Sequence, residues 1–487
     1  MRNQPKLKVL RSAKLVAVPV IFQMLVSTPV LAQPKTQTLT LNEYLSQVEN
    51  QNDAFQRSSR AEKAFELRSD EWRLITSPYF FGSAEFTTDK REQQTPQIMG
   101  TETNIKNYTF GFGQKTSFGL EAKLSYQYVD TNMVGANEQF INPSHFYTTG
   151  PVLQLTQSLW KNGFGSETKA QMEAKRAEAE SRRYSEIHNQ AQLRQQAESA
   201  YWRLAVAREA LHAAKENLDR AKKGRNWTAE RVRLNLADRS DLLQQDAAVA
   251  ARELEVQQAE MEEKAAARAF NTMRGVASTV VTERLQSITD DLIKSLRVPE
   301  RAEKRADVKA AEAEARSLKA QTETGLEALK PSVDAFITAG LSGRDGDSGK
   351  AVSESLSTDF PYYTVGVRLN IPLNQGIASR AREGYRVAAA TMELQARRKA
   401  FEVEREWIEL VQKFEESKQR LELARKLEQV QKTKLDAERA RLRRGRTTTY
   451  QVILFETDYT TAQLNRIRQA QEVLSIYSQL KTFGGEQ

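Results

Sequence analysis

The chain has 487 residues, 28% of them charged and 39% hydrophobic, with no cysteine and a formal net charge of +9. That is ample for a core and too polar for a bundle of membrane helices. The lack of cysteine excludes disulfides, thiolate metal sites, a cysteine nucleophile and an acylated-cysteine anchor.

The one strongly apolar run opens the chain. Arg2, Lys6, Lys8, Arg11 and Lys14 precede Leu15 to Val26, and Val30-Leu31-Ala32 supplies small residues before Gln33. This order predicts a secretory signal peptide over residues 1–32. A membrane anchor is the alternative, weakened by the short run and by Pro19 and Gln23. Removing five basic residues and no acid takes the charge from +9 to +4. A nucleic-acid partner thereby loses its main support. Nothing in the remaining chain is suited to cross a bilayer as a helix, so any crossing must use strands.

In chain order, Leu39-Thr40-Leu41-Asn42 predicts an N-cap and a helix to about Ile75, closed by Pro78. A β-like region follows over about 79–159, with candidate strands Tyr79–Thr88, Lys106–Lys115, Gly119–Val129 and Thr148–Leu159. Tyr108, Phe110 and Phe112 alternate, as do Leu120, Ala122, Leu124, Tyr126 and Tyr128. Only Thr116-Ser117-Phe118 separates the middle pair, whereas Asp89–Ile105 and Asp130–Tyr147 are long and polar. Short turns at one end and long loops at the other are the pattern of outer-membrane barrels.

A helical block then runs from about Glu167 to Lys223, with Leu204, Leu211 and Leu218 at heptad spacing, and continues after a turn to Arg274-Gly275. An irregular connector covers 276–299. A helix over Glu300–Leu329 is stopped by Pro331, and two strands follow, alternating at Val333, Ala335, Ile337, Ala339, Leu341 and at Val365, Val367, Leu369, Ile371. Between them, Ser342–Asp359 is rich in Gly, Ser and Asp and predicts an exposed loop. The final block, Ala378–Phe483, predicts two very long helices joined at Arg443-Arg444-Gly445-Arg446, with a tail at 484–487. On its first arm Val387, Leu394, Phe401 and Ile408 recur every seventh residue, and Trp407, Phe414 and Leu421 carry the seam on. An arm of about 65 residues would be roughly 100 Å long. No compact domain needs that.

The order helix, strands, long helix, turn, helix occurs twice, over 33–275 and 300–483. Ala229–Leu234 matches Ala437–Leu442 at all but one position, each just before a turn. Leu155–Leu159 ahead of Asn162-Gly163 corresponds to Leu369–Leu373 ahead of Gln375-Gly376. Four or six strands cannot close a barrel of about eight, and open edges are not tolerated in a membrane. Copies must therefore pool strands under symmetry. Three copies would give twelve strands or eighteen, depending on whether Lys106–Val129 is a membrane hairpin or an extracellular extension. Their helical hairpins, set edge to edge, would close a second tube. Such an object is a conduit.

On these residues the sequence resembles the TolC family of outer-membrane efflux proteins, over essentially Leu39 to Phe483. The Leu-Thr-Leu opening, the two strand-to-helix junctions at Gly163 and at Pro372 and Gly376, and the stretch Gly445-Arg446-Thr447-Thr448-Thr449-Tyr450-Gln451-Val452-Ile453 carry the resemblance. It implies an α+β membrane protein: a homotrimer with an outer-membrane β-barrel continued by a long periplasmic α-helical barrel. It also implies docking onto a periplasmic adaptor served by an inner-membrane pump, in efflux or type I secretion. The family closes its periplasmic tip with polar links near the helical turns. Asp241 stands at the family's acidic position in the first half. In the second half, Thr447 and Gln451 occupy the positions of an expected Arg and Asp. Arg444 and Arg446 flank Gly445 and are placed to rebuild the link to Asp241. The alternative is that Arg443, Arg444 and Arg446 cap helix C-termini.

Trp160, Tyr79, Phe80, Phe81 and Tyr363 suit an interfacial aromatic belt or core packing. His145, His188 and His212 share no metal-ligand spacing. No nucleophile arrangement, phosphate loop or catalytic carboxylate pair is present, so neither an enzyme nor a cofactor is expected. The rival class is a periplasmic coiled-coil protein, structural or adhesive, that never enters a membrane. An adaptor is a third class, disfavoured because adaptors have one helical hairpin.

Overall fold

The computed structural model describes residues 38–92 and 94–484. The expected signal peptide and the end of the tail lie outside the described residues. The described chain opens on a two-residue strand, β1 (Thr38–Leu39), and then α1 (Leu41–Gln51). Thr40 and Glu43 form a reciprocal capping box: Glu43 N–H donates to Thr40 Oγ1 and Thr40 N–H to the Glu43 carboxylate, at 3.3 and 2.8 Å. The single helix expected to Ile75 is broken. Asn52 turns extended and caps α2 (Asp53–Leu67), its side chain accepting from Phe55 N–H at 3.0 Å. A short polar amide of this kind competes with the helical ladder for backbone donors. A 3₁₀ turn, Glu71–Ile75, completes the segment.

Strand β2 (Tyr79–Asp89) follows, then the single turn α3 (Pro96–Met99), β3 (Glu102–Lys115), β4 (Leu120–Val134) and β5 (His145–Ser158). The strands extend further than the alternation alone indicated, so the two polar loops are shorter than expected. Helix α4 (Ser166–Arg233) is 68 residues long and does not stop at Lys223. Gly224, which follows, is tolerated because Gln245 packs over it, 3.3 Å from where a Cβ would stand. Its partner α5 (Arg239–Met273) has 35 residues. In the connector, β6 (Arg284–Leu285) pairs in parallel with β1, and α6 (Asp290–Ser295) is capped by Thr289.

Helix α7 (Ala306–Ala328) starts later than Glu300: 300–305 is irregular, with Arg305 extended and Ala302 N–H donating to Phe483 O at 2.9 Å. Strand β7 (Ser332–Leu341) leads to β8 (Gly343–Asp345) and α8 (Ser348–Glu354). The loop expected to be exposed here is partly buried. Gly343, Ala351 and Ser355 are covered, Thr149 Oγ1 donates to Ala351 O at 3.0 Å, and the Tyr126 and Ser355 hydroxyls meet at 2.9 Å. A Cβ at Gly343 would sit 2.1 Å from Ala351 O, so Gly343 is needed here for close approach. Strand β9 (Pro361–Asn370), α9 (Gln375–Arg443, 69 residues) and α10 (Thr449–Lys481, 33 residues) complete the chain.

Each hairpin therefore joins one long helix to one half as long, not two equal arms. The remaining length is filled by the short helices: α2 lies along α4, and α7 packs against both α4 and α9. Ser58 Oγ donates to Glu186 O at 3.1 Å and Ser317 Oγ to Ala174 O at 3.0 Å, fixing those contacts. The main core lies where short-helix ends meet the long helices, around Tyr44, Tyr201, Phe270, Phe414, Leu474 and Phe483. Tyr44 OH donates to Phe270 O at 2.9 Å and Tyr201 OH to Leu39 O at 2.6 Å, so both buried phenols are satisfied. Burial pushes the Tyr44 hydroxyl well above the usual phenol range.

The apolar seam on α9 divides in two. Phe414 and Leu421 are buried with Val403 and Leu410, as a packed stripe demands. Val387, Leu394, Phe401 and Ile408 are 57%, 60%, 62% and 58% exposed. They form a second stripe on the opposite side of the helix, and nothing among the described residues covers it.

Candidate functional site

The six long strands form one antiparallel sheet in the order β2-β3-β4-β5-β7-β9. Strand alternation sorts its two faces. One crosswise row of paired residues reads Phe80, Phe112, Leu124, Leu153, Ala339 and Tyr363. The neighbouring row, on the other face, reads Tyr79, Gly113, Lys123, Gln154, Thr338 and Thr364. One face is apolar across all six strands and exposed: Phe80 is 64%, Phe112 63%, Leu124 55% and Val365 71% accessible. The other face is polar. Of the expected aromatic belt, Phe80 and Tyr363 lie on the apolar face, whereas Tyr79 and Phe81 lie on the polar one. Trp160 sits just beyond β5, exposed.

At the lower end of the sheet, the strand-to-helix junctions are built differently. In the first, Asn162, Phe164 and Gly165 take left-handed backbone at φ +56°, +50° and +82°. Buried Asn162 accepts from Thr168 N–H at 2.9 Å, and its own N–H donates to Glu327 at 3.2 Å. The β3–β4 turn packs into this bend, so that a Cβ on Gly165 would fall 1.9 Å from Ser117 O. The residue that must be glycine is thus Gly165; Gly163 has open space around it. At the second junction Pro372 O accepts from Gln375 Nε2 at 2.7 Å, and Asn374 caps α9. Gly376 likewise has open space.

At the far ends of the helices the two turns share one geometry. Leu236 N–H donates to Arg231 O at 2.8 Å and Arg446 N–H to Arg441 O at 3.0 Å, each around a left-handed residue, Asn235 at φ +53° and Gly445 at φ +67°. This is the helix-ending arrangement that glycine or asparagine permits. Asp238 and Thr448 then open the returning helices, which places Asp241 and Gln451 at the same third position. This register differs by two residues from the sequence match of Ala229–Leu234 with Ala437–Leu442. Gln451 N–H donates to Thr448 Oγ1 at 3.3 Å, so Gln451 stands in a capping position.

Arg443, Arg444 and Arg446 are exposed, Thr447 is half-buried, and Asp241 is half-buried. Among the described residues no ion pair joins Asp241 to Arg444 or Arg446 within the chain. The acids at this end are used locally: Glu230 pairs with Arg233 and Glu438 with Arg441. Between the hairpins, Arg252 Nη2 donates to Thr457 Oγ1 at 2.9 Å and Arg466 meets Glu209 at 2.6 Å, while Arg466 also meets Glu428 of its own hairpin at 2.6 Å. Sequence reasoning missed these links, because one Arg among many in a charged helix carries no distinguishing spacing.

A buried charge cluster lies midway along the helices. Asp307 accepts from Arg305 at 2.8 Å and faces Lys399 at 2.9 Å and His188 at 4.0 Å. Burial disfavours its charge, but the hydrogen bonds from Arg305 and Lys399 hold its carboxyl well below the usual range. Burial also lowers His188. Among the described residues no three His, Asp or Glu are arranged to hold a metal, and no helix is long and apolar enough to cross a membrane.

No family model matches the chain, and no curated protein matches it significantly. Solved structures do. The outer-membrane channel OprN is 18% identical, with a TM-score of 0.64 over 91% of this chain and 90% of that one. The outer membrane protein VceC of Vibrio cholerae is 13% identical, with a TM-score of 0.64 over 91% and 96%. The CmeC outer membrane channel of Campylobacter jejuni is 13% identical, with a TM-score of 0.64 over 91% and 85%. At these identities the likeness is one of architecture, and over nine-tenths of its length the chain has the TolC-like fold of outer-membrane channels.

Proposed function

We propose that this protein is a homotrimeric outer-membrane channel through which substrates leave the periplasm. It would work with a periplasmic adaptor and an inner-membrane pump, in tripartite efflux or type I secretion. The observation that carries the reading is the sheet. One face is apolar from edge to edge and exposed, the other is polar, and among the described residues both outer strands have an unpaired side. An apolar outside and a polar inside describe a membrane barrel, and the unpaired edges require further strands from other copies. The uncovered stripe from Val387 to Ile408 supports the same assembly lower down, as a surface for a neighbouring hairpin. The matching geometry of the two turns supports reading 33–275 and 300–483 as structural repeats.

In this reading the turns at Asn235 and Gly445 form the periplasmic mouth. Asp241 of one hairpin and Arg444 or Arg446 of an adjacent one form its polar links. The tube is a passive conduit, energised by its partners. Fractionation tests the whole proposal: the protein is expected with outer membranes, after removal of a signal peptide, as a trimer that dissociates only on heating. Recovery as a soluble periplasmic monomer defeats it and leaves the coiled-coil structural or adhesive reading.

A further inference from the structure

We infer that each copy contributes six membrane strands rather than four, so that the channel is an eighteen-stranded barrel with β9 of one copy paired to β2 of the next. This rests on the channel reading above and fixes the width of its lumen. The strands in question are β3 and β4, an additional hairpin between β2 and β5. Three observations place them in the membrane wall.

The first is length. All six strands have between 10 and 15 residues, and a tilted membrane strand needs about 9–11. The second is the pattern of faces. Phe112 and Leu124, the hairpin's members of the apolar row, join Phe80 to Leu153 without a break. A hairpin projecting beyond the membrane has no reason to continue that face in register. The third is height. The hairpin's turn reaches down to the strand-to-helix junction, with Gly119 and Gly165 allowing backbone contact there and Gln157 Nε2 donating to Phe118 O at 3.3 Å. The hairpin therefore starts at the level where the helices begin and runs the full height of the sheet.

The two edges are compatible. Six strands alternating in direction leave β2 and β9 antiparallel to one another, so neighbouring copies join by the same kind of ladder that holds each copy together. At about 4.8 Å between strands tilted about 40°, eighteen strands make a backbone ring about 36 Å across, against about 24 Å for twelve. The lumen cross-section would be roughly double.

The native chain lacks cysteine, so introduced pairs report without background. Val365→Cys on β9 is combined in turn with Gly82→Cys, Ala84→Cys and Phe86→Cys on β2, in the full chain in outer membranes. At least one pair is expected to shift the boiled, oxidised protein from monomer to covalent trimer. Ala84→Cys with Leu153→Cys, joining β2 to β5 within a chain, is expected to stay unlinked. Linkage of that last pair overturns the strand count, and failure of every β9–β2 pair in a trimer that still forms overturns the pairing between copies; either leaves the channel standing. A soluble monomer overturns both. Electron microscopy of the unsubstituted trimer gives an independent reading, with a ring of about 24 Å refuting the inference.

Discussion

The exposed stripe on α9 offers the sharpest separation between folding of one chain and assembly of several. Phe401 is 62% exposed and Phe414, on the same helix, is fully buried. Covering the exposed part of Val387, Leu394, Phe401 and Ile408 removes about 400 Å² from water, worth roughly 10 kcal/mol per interface at about 25 cal/mol per Å², as an upper bound. Phe401→Ala should cost about 2–3 kcal/mol of that at each interface. Phe401→Asp should cost more, because the carboxylate must be desolvated without a partner. Neither change touches the chain's own core. The assay is the temperature at which the detergent-solubilised trimer dissociates on a semi-native gel, beside far-ultraviolet circular dichroism of the helices. Both Phe401 variants are expected to lower the dissociation temperature while leaving helix content unchanged. Phe414→Ala, by contrast, should cost about 3–5 kcal/mol within the chain and reduce its helical stability. A Phe401→Asp trimer as heat-resistant as the parent would refute the assignment of this stripe to an interface.

Asp307→Asn should lower the thermal midpoint strongly, because breaking a buried ion pair costs about 3–5 kcal/mol and leaves Arg305 and Lys399 facing a neutral group. The Asp307 carboxyl is depressed in the folded state, so its contribution is present above the ordinary carboxylate range and fades as the pH falls through the folded value. The midpoints of parent and variant should therefore converge only in strong acid, and equal midpoints at pH 7 would refute the role. Gly165→Ala places a Cβ 1.9 Å from Ser117 O at φ +82° and should lower the yield of inserted trimer, whereas Gly163→Ala should be neutral. Asp241→Ala and Arg446→Ala should each raise single-channel conductance in planar bilayers; unchanged conductance in both would remove the polar link from the mouth.

Strand positions were legible because alternation is a direct consequence of the pleat, and Tyr108-Phe110-Phe112 belongs to one face in any register. The number of sheet neighbours was not legible, since pairing order is set by contacts far apart in sequence. On α9 the two stripes obey the same seven-residue spacing, and the spacing cannot distinguish a seam closed within the chain from one left open. The two turns correspond two residues away from the register of the matched segments, since Ala-Glu-Arg segments recur easily in charged helices. What fixes the turns is a left-handed residue, Asn235 or Gly445, followed by a cap. Composition alone did not show that Gly343, Ala351 and Ser355 would be buried within 342–359, nor that the left-handed glycine of the first junction would be Gly165.

The unequal helices have a mechanical consequence. Helices α4 and α9 are unbroken rods, whereas the material beside each is in two pieces that abut near mid-length. Asn52 Nδ2 donates to Met273 O at 2.7 Å at one such joint, and Ala302 N–H donates to Phe483 O at 2.9 Å at the other. A splinted rod bends where the splint is cut. Lateral force on the turns at Asn235 and Gly445 is therefore absorbed at these two joints, and the strand end of the molecule need not deform when the opposite end moves.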